Sequence, residues 1–406
     1  MVLCQKSGYV SSAIGSFCRA DAAIPSIDVR PQILISCGEA SGDLYASELV
    51  RELQKIDPGI ECFGIGGEKL AGAGAELQVR LEDISVIGLV EVLEKLPVLW
   101  RARNRLIEEA RRRRPAVAVL IDFSGFNLRL ARKLHAEGIP ILYYVSPQVW
   151  AWRRRRVRAI RETAKKMLVI LPFEEAFYRS EGIPVAFVGH PLVDLVQPRE
   201  DRSTFCKRLG LDPDRPLVTL LPGSRAREIE LHVPVLAGAM ERMRLKRPDL
   251  QFVVLKAPTI PRSEIEDRLS GVAAPVRIVE GSNHDGLAHA AISLVASGTA
   301  TVEAALSGAP MVVVYRIGKL SYLLGKPFVR VPHYAMVNLI AERAVVPELM
   351  QDEMTEEAIA AKALEILEDP GAAETMRQGL AEVKARLGGG GASRRAAQEV
   401  MAVVPS

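Results

Sequence analysis

"LLPGSRAREIELHVPVLAGAM", residues 220–240, opens as an apolar run, turns at Pro-Gly-Ser-Arg and passes directly into a helical pattern. Strand, tight turn and helix form the repeating unit of a parallel α/β sheet. Gly223 lets the backbone turn sharply, and Ser224 is placed to cap the helix that follows. A helix N-terminus offers free N–H groups and the positive end of the helix dipole, which together suit an anion. Arg225 adds a forked donor matched to phosphate oxygens. The turn therefore predicts a phosphate site, although any strand–turn–helix junction shares part of this pattern.

The same unit repeats along the chain. Before it come "QILIS" (32–36, with a helix from Ser41), "IECFGIG" (60–66), "AVAVLID" (116–122), "PILYYVS" (140–146), "MLVIL" (167–171) and "VAFVG" (185–189). The polar, proline-bearing stretch 190–216 reads as a linker. After it come "LVTLLPG" (217–223), "QFVVLKAP" (251–258), "VRIVEG" (276–281), "ISLVAS" (292–297) and "PMVVVY" (310–315). Short apolar runs between helices suit strands covered on both faces. The expectation is an α/β protein with two Rossmann-like domains and parallel sheets facing a central cleft. Residues 1–30 form an extension, 31–195 the first domain, 196–370 the second, and 371–406 a helical end. Ligands of such sheets sit beyond the carboxyl ends of the strands.

The 406 residues suffice for two cores; 49% are hydrophobic and 25% charged, and the net charge is +4. No apolar run approaches the roughly 18 residues of a membrane span. The five cysteines are odd in number and show no CxxC spacing, so neither a disulfide framework nor a zinc site is expected. Basic residues crowd Arg101–Arg114 and Arg153–Arg161, as solvated helix faces or as surfaces for an anionic partner.

Four further stretches carry chemistry. In "ASGTATVEAALSGAP" (296–310), Ser297, Gly298 and Thr299 could cradle a diphosphate, and Glu303 one turn later could accept from ribose hydroxyls. Close helix–sheet packing would also need small residues there. Neither turn is GxGxxG or GxxxxGK[ST], so a P-loop or standard dinucleotide fold is poorly supported. "SCGEASGDLYASEL" (36–49) supplies Gly38, Ser41 and Gly42, with Glu39 and Asp43 for sugar hydroxyls, proton transfer or plain capping. "LIDFSGFN" (120–127) ends a strand at Asp122, a general base or the cap of the next helix. Ser146, Gln148, Trp150 and His190 are candidates for the acceptor side of the cleft, although a lone histidine such as His190 is more often structural. The segment 86–114 is amphipathic, with Leu89, Val90, Val92, Leu93, Leu96 and Trp100 as a patch for a bilayer interface or for the core. Pro97 is expected to break or restart its helix.

"GEASGDLYA", "VIGLVEVL", "YYVSPQVWAWRRRRV", "LPFEEAFY", "FVGHPLVD", "LLPGSRAREIE", "SGTATVEAAL" and "MVNLIAERAVVPELMQD" together resemble the lipid-A-disaccharide synthase family, in order, from about residue 32 to about 385. The resemblance implies a GT-B type fold. It also implies an inverting transfer from UDP-2,3-diacylglucosamine to 2,3-diacylglucosamine 1-phosphate (lipid X), giving a β-1′,6-linked disaccharide 1-phosphate and UDP. No metal or cofactor is implied. The expected location is peripheral, on the cytoplasmic face of the inner membrane, and relatives suggest a homodimer. By match of motif, Asp122 and then Glu39 are candidate bases, while Arg225, Ser297, Gly298, Thr299, Glu303 and Asn338 fall on the nucleotide side. Two departures stand out: Gly125 where the family often has a second acid, and Glu342 where glycine is common. Rival readings are another UDP-sugar enzyme of this fold, such as a 2-epimerase or a peptidoglycan glycosyltransferase, and a non-catalytic nucleotide-binding membrane adaptor. The basic tracts lack a nucleic-acid recognition motif.

Overall fold

The computed structural model describes residues 30–84, 89–147, 155–318 and 332–405, with the side chains of 89–95 and 155 left aside. Two parallel sheets organise them. The first contains β1 (Gln32–Ser36), β2 (Glu61–Gly66), β3 (Glu76–Arg80), β4 (Val117–Ile121), β5 (Ile141–Tyr144), β6 (Lys166–Val169) and β7 (Val185–Phe187) in the order 3-2-1-4-5-6-7. The second contains β8 (Leu217–Leu221), β9 (Gln251–Lys256), β10 (Val276–Glu280), β11 (Ile292–Ala296), β12 (Met311–Tyr315) and β13 (Glu348–Met350) in the order 10-9-8-11-12-13.

Both faces of the central strands are buried, which is why their sequences are continuous apolar runs rather than alternating ones. In β1, Ile33 and Ile35 enter one core cluster and Leu34 the other; β4 divides the same way, Val117, Val119 and Ile121 against Ala118 and Leu120. The edge strands β3 and β13 escaped the sequence reading. "ELQVR" and "ELM" have one neighbour each and only partial cover, so nothing obliges them to be apolar.

In each sheet the strand order reverses beside the first strand: between β1 and β4, and between β8 and β11. At such a switch point the following loops diverge to opposite faces and leave a crevice. The four loops at these two crevices begin at Cys37, Asp122, Pro222 and Ser297, the same stretches that the sequence singles out.

Five helices matter below: α1 (Ala40–Ile56), α2 (Glu68–Gly72), α3 (Leu89–Arg113), α4 (Ser124–Ala136) and α5 (Ala226–Lys246). Pro97 does not break α3, which runs through it; the missing N–H removes one hydrogen bond from a 25-residue helix. The chain end is not a separate appendage. Helix α6 (Ala392–Met401) packs on α1 of the first half. There Arg395 donates to Val188 O at 2.8 Å, the His190 N–H to Leu387 O at 2.9 Å, and Lys166 pairs with Glu399 at 2.6 Å.

Candidate active site

The loop after β4 is unusual in its backbone. Asp122 and Phe123 both lie in the left-handed region, with φ of 45° and 46°. Such conformations cost non-glycine residues roughly 1–2 kcal/mol each, and persist where the surroundings over-determine them. Here buried Asn127 supplies the restraint. Its amide donates to Ser36 O, Ile121 O and Asp122 O at 3.0–3.2 Å, and its Oδ1 accepts from Ser36 Oγ at 2.7 Å. The Phe123 ring lies over Gly38, where a Cβ would come within 2.1 Å of it. Gly38 is therefore needed for close approach of the β1 and β4 loops. Phe123, and not Asp122, holds the N-cap position of α4, which leaves the Asp122 carboxyl to the crevice. Burial, reinforced by Glu39, pushes its pKa up to about 7, against the pull of the Phe123 N–H and of Arg225.

Glu39 and Arg225 meet across the cleft. Arg225 Nη2 lies 3.1 Å from Glu39 Oε1, with both side chains about half exposed, at 48% and 50%. Glu39 stands at the N-cap of α1 without capping it through its side chain.

The β8 turn departs from expectation. Arg225, not Ser224, occupies the N-cap of α5. The backbone N–H groups of Ser224 and Arg225, expected to be free for phosphate, both donate to Glu228 Oε2, at 2.9 and 3.3 Å. Glu228 Oε1 accepts from Arg225 Nη1 at 3.0 Å and from Tyr315 Oη at 3.2 Å. Ser224 O accepts from Thr259 Oγ1 at 2.7 Å. Gly223, at φ 134°, is pressed against the Glu228 side chain. Sequence reasoning missed Glu228 and Tyr315. Their signals were a glutamate at the N3 position of a capping box and a tyrosine closing the apolar run 310–315.

The β11 turn keeps its predicted form. Gly298 adopts φ 153°, with open space where a Cβ would point. Thr299 begins the next helix, Thr299–Leu306, and Ser297 Oγ donates to Tyr334 O at 3.0 Å. Burial pushes the Glu303 carboxyl up to about 7, with Lys69 of the first half opposing.

Four other candidates are occupied inside the protein. Asp43 accepts from the N–H groups of Gly67, Lys69 and Leu70 at 2.7–3.2 Å, capping α2 rather than facing a ligand. Ser146 Oγ is buried against Tyr178 Oη at 2.6 Å and Pro147 O at 2.9 Å. His190 is buried: Nδ1 accepts from the Leu192 N–H at 3.2 Å, its ring meets Tyr45 edge-on at 5.9 Å, and burial brings its pKa down to about 3. Asn338 Oδ1 accepts from the Val345 and Val346 N–H groups, and its Nδ2 donates to Val346 O and Glu348, all at 2.7–3.0 Å. An amide with two acceptor and two donor sites filled has none left for a nucleotide. The adjacent Glu342 takes the left-handed conformation, φ 58°, that suits glycine. Ser41 is half-buried near the start of α1, and Gly42 packs closely beneath Cys37. Gln148 and Trp150 lie outside the described residues, as do the side chains of Leu89, Val90, Val92 and Leu93.

A family model described as lipid-A-disaccharide synthetase matches residues 33–402. The chain belongs to the lipid-A-disaccharide synthase family. A relative of that name from Solibacter usitatus is 45% identical over 375 residues, covering 92% of this chain and 98% of its own. One from Myxococcus xanthus gives the same identity and coverage. Membership makes the chain a glycosyltransferase of lipid A biosynthesis. Among solved structures, the Neisseria meningitidis UDP-GlcNAc 2-epimerase bound to UDP-GlcNAc superposes with a TM-score of 0.65 at 14% identity, covering 91% of this chain and 100% of that one. A calicheamicin glycosyltransferase gives 0.58 at 17%, covering 92% and 98%. At such identities these two speak for the fold alone, and the fold is GT-B.

Proposed function

We propose that the chain joins UDP-2,3-diacylglucosamine to lipid X with inversion, and that Asp122 is the base. Family membership carries the reaction, and the base assignment rests on a half-buried carboxyl, pushed by burial up to about 7, on the strained β4 turn beside Glu39 and Arg225 of the other half. The acceptor hydroxyl loses its proton to Asp122 as its oxygen bonds to the donor C1 and the C1–O bond to UDP breaks. A base whose pKa lies near the working pH is best matched to that step, and such catalysis contributes about 10²–10⁴-fold. The departing diphosphate gathers charge near Arg225 and the Ser297–Thr299 turn, whose fixed donors stabilise it electrostatically. Glu303 accepts from the ribose hydroxyls, and Glu39, so close to Asp122, tunes the base.

Both substrates carry acyl chains, whose exposure to water costs about 0.8 kcal/mol per CH₂. Among the described residues no helix is long and apolar enough to cross a membrane. Leu96 and Trp100 on α3 are 45% and 58% exposed, which supports a peripheral contact with a membrane surface. The C-terminal end of α3 adds little to that surface. Arg111, Arg112 and Arg113 are paired with Glu137, Glu109 and Glu76.

The test is mass spectrometry of the purified protein with both substrates in detergent and EDTA. A disaccharide 1-phosphate with stoichiometric UDP is expected. UDP-sugar bound but left unchanged would favour an adaptor, and a C2 epimer would favour the epimerase reading.

A further inference from the structure

Arg225 is held from two sides, and the two sides differ. Towards the first half its Nη2 meets Glu39, an exposed partner across the cleft. Towards its own half its Nη1 meets Glu228 at 3.0 Å, whose side chain is only 10% exposed. The Glu228 carboxylate is fixed in turn by the Ser224 and Arg225 N–H groups and by Tyr315 Oη at 3.2 Å. Tyr315 closes β12, so this network ties the β8 turn to a strand two places away in the sheet.

We propose that Glu228, braced by Tyr315, is a positioning residue that pre-orients Arg225 for the diphosphate. One edge of the guanidinium stays on Glu228, and the other exchanges Glu39 for a phosphate oxygen. The inference rests on the UDP-sugar reading above. It has a rival with opposite sign. Glu228 also occupies two N–H groups of a phosphate-type turn, and were it merely an anion standing in the phosphate's place, its removal would strengthen UDP binding. The structure favours positioning. A carboxylate with four internal donors is costly to dislodge, and binding gains from side chains that need no reordering.

Calorimetric titration with UDP decides between them, using wild type, Glu228→Gln, Tyr315→Phe, Arg225→Ala and the double variant Arg225→Ala/Glu228→Gln. Glutamine retains an oxygen for the two backbone N–H groups but turns a donor towards Arg225. Losing a charge-assisted bond should weaken UDP by about tenfold in Glu228→Gln and less in Tyr315→Phe. In the Arg225→Ala background, Glu228→Gln should then cost nothing further, because the two act as one unit. Unchanged or tighter UDP binding by Glu228→Gln, or losses that multiply in the double variant, would overturn the proposal. Should Glu228→Gln unfold, Tyr315→Phe carries the same test. Wild type that binds UDP yet forms no disaccharide would sink the proposed reaction and leave the positioning intact; wild type that binds no UDP would sink both.

Discussion

Asp122→Asn separates catalysis from folding, because it should abolish the first and improve the second. An ordinary aspartate titrates near 3.8, and Asp122 is raised to about 7. The sign follows by linkage. At acid pH the carboxyl is protonated in both folded and unfolded chains, and the substitution changes no charge. As pH rises through 3.8 the unfolded chain ionises while the folded one holds its proton, so the wild type loses stability up to about pH 7. Above that, its folded form carries a poorly solvated charge that asparagine lacks. A displacement of about three pH units corresponds to about 4 kcal/mol once pH exceeds both pKa values. Asparagine suits the site otherwise. It tolerates the left-handed backbone better than most residues, and its Oδ1 can still accept from the Phe123 N–H. Urea unfolding at pH 5 and pH 8 should show the advantage of Asp122→Asn growing by about 2–3 kcal/mol between them, while disaccharide formation falls by about 10²–10⁴-fold. A stability difference that is flat with pH, or turnover within tenfold of wild type, would refute the reasoning.

Glu39→Gln removes the anion that helps raise Asp122, so the acidic limb of the kcat/KM profile should move below pH 7; in Arg225→Ala the residual rate should show the limb displaced upward, and no movement in either would separate Asp122 from the limb. Gly38→Ala drives a Cβ into the Phe123 ring and should cost about 1–3 kcal/mol by overpacking, with turnover falling more than binding of UDP; adding Phe123→Leu should restore part of the stability in thermal melts. Leu96→Ser with Trp100→Ser should reduce co-sedimentation with anionic vesicles without altering the melting midpoint, and unchanged sedimentation would remove α3 from the membrane surface.

The parallel sheets were legible because strands buried on both faces cannot hide among polar residues. The candidate turns were legible where geometry demands glycine, by close approach at Gly38 and by backbone angle at Gly298, and where a strand ends in an acid, as at Asp122. It was illegible where a polar side chain serves the backbone. Asp43 and Asn338 have the composition of ligand contacts, but the N–H groups they satisfy belong to segments 24 and 7 residues away, and sequence cannot pair them. Glu228 failed for the converse reason. Three residues into a helix it resembles a solvated surface charge, and only folding brings Tyr315 against it.

The bridge between Glu39 and Arg225 could be taken for a latch that holds the two halves together, but its magnitude argues otherwise. Ion pairs with both partners about half exposed contribute roughly 0–1 kcal/mol, little beside the burial of α6 against α1, which binds the chain end to the first half without any help from the cleft. The bridge is weak enough to exchange and close enough to matter electrostatically. Among the described residues, Arg225 is shared between Glu39, Glu228 and the Asp122 carboxyl before nucleotide arrives. On the proposed exchange, binding moves one edge of Arg225 from Glu39 to a phosphate oxygen. The exchange leaves Glu39 uncompensated beside Asp122 and brings a negative diphosphate near it, and both act to raise the Asp122 pKa further. On the roles proposed above, each change would make Asp122 a stronger base at the moment when the donor is in place. The acidic limb of kcat should consequently lie above that of kcat/KM, and coincident limbs would mean that Arg225 keeps its hold on Glu39 throughout the cycle.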